Sequence, residues 1–200
     1  MPVTTNTPGQ NGRLTFAATS GQRVALGQDG YNCFTSTTTI LTPDGSQQAS
    51  TCGGTFIDTQ NLDATGEYTI LVDPKEANFG TTTLTLHSVP ADANGAVAVN
   101  GTGFTLDMNA IGQNGFVTFS GTQGQQATVH ISGNTVNGFL DVSLVQLLPG
   151  GGETVLVSTV GLATQFDLPT QTLPATGNYK VVVSPRGTAT GSATVSVSNP

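Results

Sequence analysis

Charged side chains are scarce in this chain. They make up 8% of 200 residues, 5 Lys+Arg against 12 Asp+Glu, for a net charge of −7, where soluble domains usually carry about 25%. Five cations cannot lay down the basic footprint that nucleic acid requires, nor a polybasic strip for anionic lipid. Neither partner is expected. No apolar run approaches the ~18 residues of a membrane-spanning helix, so no membrane insertion is expected either. Trp is absent, Met occurs twice and Cys twice. Without Trp, the aromatic walls of a glycoside-hydrolase cleft and the usual sugar-stacking platform lack their main component. Long amphipathic helices are excluded by the shortage of Glu and Lys. The opening Met1-Pro2-Val3-Thr4-Thr5 has neither the basic start nor the apolar stretch of a signal peptide; an exported protein of this sequence would be a mature piece or a fragment.

What the chain does have is Thr, Val, Ser, Gln and 26 Gly, with 36% hydrophobic residues in short alternating stretches. Alternation is the pattern of half-buried strands, and β-branched residues pack well on a pleated surface. A disordered Gly/Ser/Thr-rich chain would not need it. Leu14 and Phe16 in Arg13–Ala17, and the stretches Tyr68–Val72, Thr83–His87, Phe116–Phe119, Ala127–Ile131, Leu140–Leu147, Val155–Val160, Tyr179–Val183 and Ala193–Val197, all read as strands.

The sequence also resembles itself. Gly9-Gln10-Asn11-Gly12-Arg13-Leu14-Thr15-Phe16 returns as Gly112-Gln113-Asn114-Gly115-Phe116-Val117-Thr118-Phe119, and Gly21-Gln22 as Gly124-Gln125. Further on, Leu62-Asp63-Ala64-Thr65-Gly66-Glu67-Tyr68 returns as Leu173-Pro174-Ala175-Thr176-Gly177-Asn178-Tyr179, and Gly80 as Gly191. The second copy carries roughly eight more residues between these anchors, expected around Leu147–Gly152. Strands spaced at about 8–12 residues with Gly- and Pro-rich turns indicate sandwiches. The expected fold is all-β: two tandem antiparallel β-sandwich domains, jelly-roll or Ig-like, over 1–89 and 90–200. The second copy is preceded by a turn-rich linker and a short strand over Ala96–Val99. The first has no such segment, and its leading strand is read as missing. In each copy Ala-Thr-Gly-x-Tyr turns into a strand, with the Tyr positioned to bury its ring and bond nearby backbone through its hydroxyl, like the corner tyrosine of Greek-key sandwiches.

Cys33 and Cys52 flank strands on either side of the turn Thr42-Pro43-Asp44-Gly45-Ser46. The ends of such a hairpin meet, as a disulfide requires, and closing that loop would contribute ~3 kcal/mol in the chain-entropy model. A Cys33–Cys52 disulfide and an oxidising compartment are expected; two buried thiols in a cytosolic protein are the other reading.

These strings, from Pro8-Gly9-Gln10-Asn11-Gly12 through Thr42-Pro43-Asp44-Gly45 to Leu71-Val72-Asp73-Pro74, resemble tandem repeats of large secreted bacterial surface proteins, which often also carry YD/RHS-type repeats. The plan is similar to the bacterial pre-peptidase C-terminal domain, a jelly-roll-like accessory sandwich. The resemblance implies a secreted or cell-surface location and a role as stalk, spacer or adhesive unit.

Chemistry is thin on the ground. His87 and His130 occupy non-equivalent strand positions, without a Gly-x-Ser-x-Gly elbow or the ligand spacing of zinc. The chain is not expected to be an enzyme. Asp73 and Glu76 share a loop where the second copy has Ser184 and Gly187; they are the pair best suited to a Ca²⁺, with solvated turn acids as the plainer reading, and no cofactor is expected. Tyr31 and Phe34 are candidates for an exposed aromatic patch, with core packing as the alternative. Asn100-Gly101-Thr102 is a formal glycosylation sequon, of no expected consequence in a bacterial protein. Two functions follow. One is an extracellular structural or interaction module, a rigid tandem-repeat segment of a bacterial surface stalk, fibre or adhesin, partnered by neighbouring copies through strand addition at an open edge. The other is a non-catalytic carbohydrate- or polymer-binding accessory module of a secreted enzyme, partnered by a glycan or another surface protein.

Overall fold

The computed structural model describes residues 1–31 and 35–200. The chain is all-β, with no helix among the described residues, and divides into two compact units, Met1–Pro90 and Ala91–Pro200.

The first unit contains β1 (Pro2–Thr5), β2 (Gly12–Ala18), β3 (Arg23–Asp29), β4 (Ser36–Leu41), β5 (Gln47–Cys52), β6 (Ile57–Asn61), β7 (Gly66–Pro74) and β8 (Gly80–Ser88). They form two antiparallel sheets, ordered β1-β8-β3-β6 and β2-β7-β4-β5. The second unit contains β9 (Ala93–Ala96), β10 (Phe104–Met108), β11 (Gly115–Gly121), β12 (Gln126–Ser132), β13 (Leu140–Leu147), β14 (Glu153–Gly161), β15 (Phe166–Asp167), β16 (Gln171–Thr172), β17 (Gly177–Pro185) and β18 (Gly191–Ser198). Its sheets run β10-β18-β12-β15, with β16 also on β12, and β14-β13-β17-β11-β9. Apart from β9, which joins β11 in parallel, the pairings are antiparallel.

Corresponding residues do corresponding jobs. Gly9 and Gly112 sit at φ 77° and 80°, and Gly21 and Gly124 at 86° and 81°, a left-handed region that costs glycine nothing and other residues much. After the second pair, Leu62 donates its N–H to the Gln22 carbonyl and Leu173 to that of Gln125, each at 2.8 Å. The corner tyrosines are fully buried. The Tyr68 hydroxyl donates to the Ala64 carbonyl (3.1 Å) and Tyr179 to that of Ala175 (2.5 Å); both also accept the alanine N–H, at 3.2 and 3.4 Å. Each ring stacks on a neighbouring-strand Phe, Phe16 at 5.5 Å and Phe119 at 5.4 Å.

The tips of the β4–β5 and β13–β14 hairpins have the same form: Thr42 N–H donates to the Ser46 carbonyl and Leu148 N–H to that of Gly152. The extra residues of the second copy therefore lie mainly in longer arms, since β13 and β14 have 8 and 9 residues against 6 each in β4 and β5.

One buried cluster fills each unit, drawing on both of its sheets. The clusters differ in polarity. The first unit buries Thr5, Gln28, Ser36, Thr38 and Thr82, where the strand registers place Met108, Ile131, Leu140, Val142 and Ala193 in the second. Burial of a hydroxyl or amide demands a partner. Thr38 donates to Gln28 Oε1 (2.7 Å), Thr82 to the Asp29 carbonyl (2.6 Å), and Thr5 bonds the Tyr31 hydroxyl (2.8 Å).

The segment expected to be missing from the first unit is the counterpart of β9, not its opening strand. The first unit has an opening strand: β1 pairs with β8, Val3 opposite Thr82, as β10 pairs with β18, Leu106 opposite Ala193. What has no counterpart among the described residues of the first unit is β9. That strand covers Ala93–Ala96 rather than Ala96–Val99; at Gly95 its backbone passes close under Phe104, where a Cβ would lie 2.5 Å from the ring.

Candidate interaction surface

The two units differ most along the outer edge of β2 and its counterpart β11. In the second unit β9 covers that edge, with Ala93 N–H donating to the Asn114 carbonyl and Val97 N–H to that of Thr118, both at 3.0 Å. The chain then crosses to the other sheet, where Asn100 N–H donates to the Val197 carbonyl (2.8 Å). On the way Ala93, Val97 and Val99 pack against the core. The residues beneath are sealed: Val117 is 0% exposed, Phe119 4% and Val197 1%.

In the first unit β2 is the last strand of its sheet. The carbonyls equivalent to those of Asn114 and Thr118 belong to Asn11 and Thr15. The apolar side chains equivalent to Val117, Phe119 and Val197 are Leu14, Phe16 and Leu86. Leu14 and Phe16 are only half-buried, and Leu86 is 37% exposed. Together with Met1, Leu26, Ile70 and Leu84 they line a groove of about 320 Å³. An open sheet edge beside an apolar groove is a template for strand addition, which uses main-chain bonds for affinity and alternate side chains for selectivity.

The other residues named from sequence are scattered. Tyr31 is buried in the first core with its hydroxyl on Thr5. Phe34 and Cys33 lie outside the described residues; Cys52 closes β5. Asp73 lies in β7 and Glu76 just beyond it, at φ 56°. Among the described residues, no group of three His, Cys, Asp or Glu is placed to hold a metal. Asn100 sits at φ 61° and accepts the Asn199 N–H through its side-chain oxygen (2.8 Å). His87 lies in β8, opposite Ala25. Asp44 is held below its ordinary carboxylate range by the Thr42 hydroxyl and then the Ser46 N–H, a turn-locking role.

One cluster was not legible in the sequence. His130 places Nδ1 2.8 Å from Asp167 Oδ1 and Nε2 2.7 Å from Ser198 Oγ, the order of groups that activates a nucleophilic serine. It forms because β15 and β18 flank β12 on either side, a juxtaposition that no spacing along the chain announces. The cluster lies on a sheet face. Sheet N–H groups lie in the plane of the sheet and are committed to the ladder, here through the pairs His130–Ser196 and Thr128–Ser198. Among the described residues, N–H groups committed in this way do not converge on the Ser198 hydroxyl, and converging donors for an oxyanion are the larger part of acyl-transfer catalysis.

No family model and no curated protein matches the chain. Among solved structures it is similar to the pre-peptidase C-terminal domain of a collagenase from Bacillus anthracis, at 9% identity over 54% of this chain and 97% of that one, with a TM-score of 0.42. It is also similar to PliG, a periplasmic inhibitor of g-type lysozyme from Aeromonas hydrophila (23% identity, 54% and 99%, TM-score 0.35). A third likeness is to the secreted serine protease VesC from Vibrio cholerae (14% identity, 96% and 48%, TM-score 0.31).

Proposed function

We propose that the chain is a non-catalytic extracellular module, a tandem-repeat segment of a bacterial surface stalk, fibre or adhesin whose work is structural and interactive. The observation that carries this reading is duplication of an entire sandwich: the same turns, the same corner tyrosine and the same stacked Phe recur in both units. Building one body twice multiplies contact surfaces without adding chemistry. The sparse charge favours it too, because uncharged polar strand faces suit a module that must be displayed without drawing nonspecific ionic partners. A Cys33–Cys52 bridge belongs to the same reading, since it persists only in an oxidising compartment.

The test is surface display. Antibodies against the chain should decorate intact source cells or their shed fibres in immunogold micrographs, and protease added to intact cells should remove the signal. Signal that appears only after lysis would overturn the reading.

A further inference from the structure

We propose that the β2 edge and apolar groove of the first unit bind one extended polypeptide segment, parallel to β2, with the chemistry of Ala93–Val99 and supplied by a further repeat unit of the same kind. The inference deepens the interaction role proposed above and rests on it for the source of the segment.

The chain contains its own worked example. On the second unit, residues 93–96 form a parallel ladder with β11, and the Val97 and Val99 that follow pack against the core. The same face of the first unit presents Leu14, Phe16 and Leu86 around an open groove. The geometry therefore specifies the occupant. It runs parallel to β2 and uses the Asn11 and Thr15 carbonyls as acceptors. It carries small residues at its first and third positions and β-branched apolar residues at its fifth and seventh. Alternate residues face outward and can be anything polar, because side chains of a strand alternate between faces. The segment Ala93–Val99 is already seated on its own unit, so a swap with a second copy of these residues would uncover one edge to cover another, which favours a further repeat unit as the donor.

The experiment uses the full chain and a synthetic peptide with the sequence of residues 91–103, titrated to millimolar concentration and followed by methyl and amide NMR. Saturable shifts are expected at Leu14, Leu84 and Leu86, with slowed amide exchange in β2. A peptide with Val97→Asp and Val99→Asp should bind about tenfold more weakly or worse, as should the chain carrying Leu86→Asp. Leu86 is exposed, so that variant should keep the wild-type spectrum elsewhere. Three results would overturn the proposal: no saturable shift at the groove, equal binding of the doubly substituted peptide, or shifts confined to β11. Protection of the groove on raising chain concentration without peptide would assign it to a second copy and overturn it as well. A surface-displayed chain with a silent groove would sink this proposal and leave the module reading standing. Binding at the groove of a chain found only inside cells would do the reverse.

Discussion

Replacing either corner tyrosine by phenylalanine removes one oxygen and nothing else. The Tyr179 hydroxyl donates to the Ala175 carbonyl and accepts its N–H; Tyr68 does the same at Ala64. Both rings are fully buried, so solvent cannot easily replace the lost partner. Two half-buried backbone groups are left unsatisfied, at a cost of about 1–2 kcal/mol. In a domain of this size that lowers the midpoint by about 5–15 °C. Stacking on Phe16 or Phe119 is retained, which separates the hydroxyl's contribution from the ring's. The assay is differential scanning calorimetry of the full chain. We expect two transitions, the lower one belonging to the first unit, whose core holds five polar residues at places where the second is apolar. Tyr68→Phe should move only the lower transition and Tyr179→Phe only the upper. A shift below about 2 °C in both, or equal movement of both transitions by one substitution, would refute the reasoning.

Gly12→Ala would put a Cβ 2.2 Å from Val3 Cγ1, a clash between the two sheets worth about 1–3 kcal/mol; Gly115→Ala meets Leu106 only at 3.0 Å and should cost less. Urea unfolding should rank them in that order, with Val3→Ala restoring part of the loss in Gly12→Ala. Asp44 has a lowered pKa, beneath its ordinary 3.8, so its contribution to the turn is present above roughly pH 4 and lost as pH falls through the lowered value. The Ser46 amide should therefore stay protected at mildly acidic pH and exchange faster in stronger acid, after correction for intrinsic rates, and Asp44→Asn should abolish that pH dependence. A fluorophosphonate probe should leave Ser198 unlabelled over hours, as sheet N–H groups committed to the ladder predict; labelling abolished by His130→Ala would show that the cluster is catalytically competent.

Much of the architecture was legible because its determinants are local. Alternation marks β7 and β17 through Tyr68–Val72 and Tyr179–Val183, and Gly9, Gly21 and their counterparts mark turns that need a left-handed residue. The opening strand of the first unit was missed because Pro2–Thr5 has only Val3 as an apolar inward residue, with Thr5 in place of Met108. A polar residue satisfied inside the core by Tyr31 looks like surface to any hydrophobic pattern. The groove was half visible. Ala93, Gly95, Val97 and Val99 alternate in a linker, which betrays a strand, but only the register with β11 shows what it covers. The His130–Asp167–Ser198 cluster depends on strands brought together from 68 residues apart, and single-chain spacing carries no trace of it.

The central claim is that one sandwich is built twice, each body holding itself together. Residues 1–90 and 91–200, expressed separately, test it most directly by calorimetry. We expect each to unfold in a single cooperative transition, together accounting for the two transitions of the full chain. Loss of cooperative folding in both halves would contradict the claim.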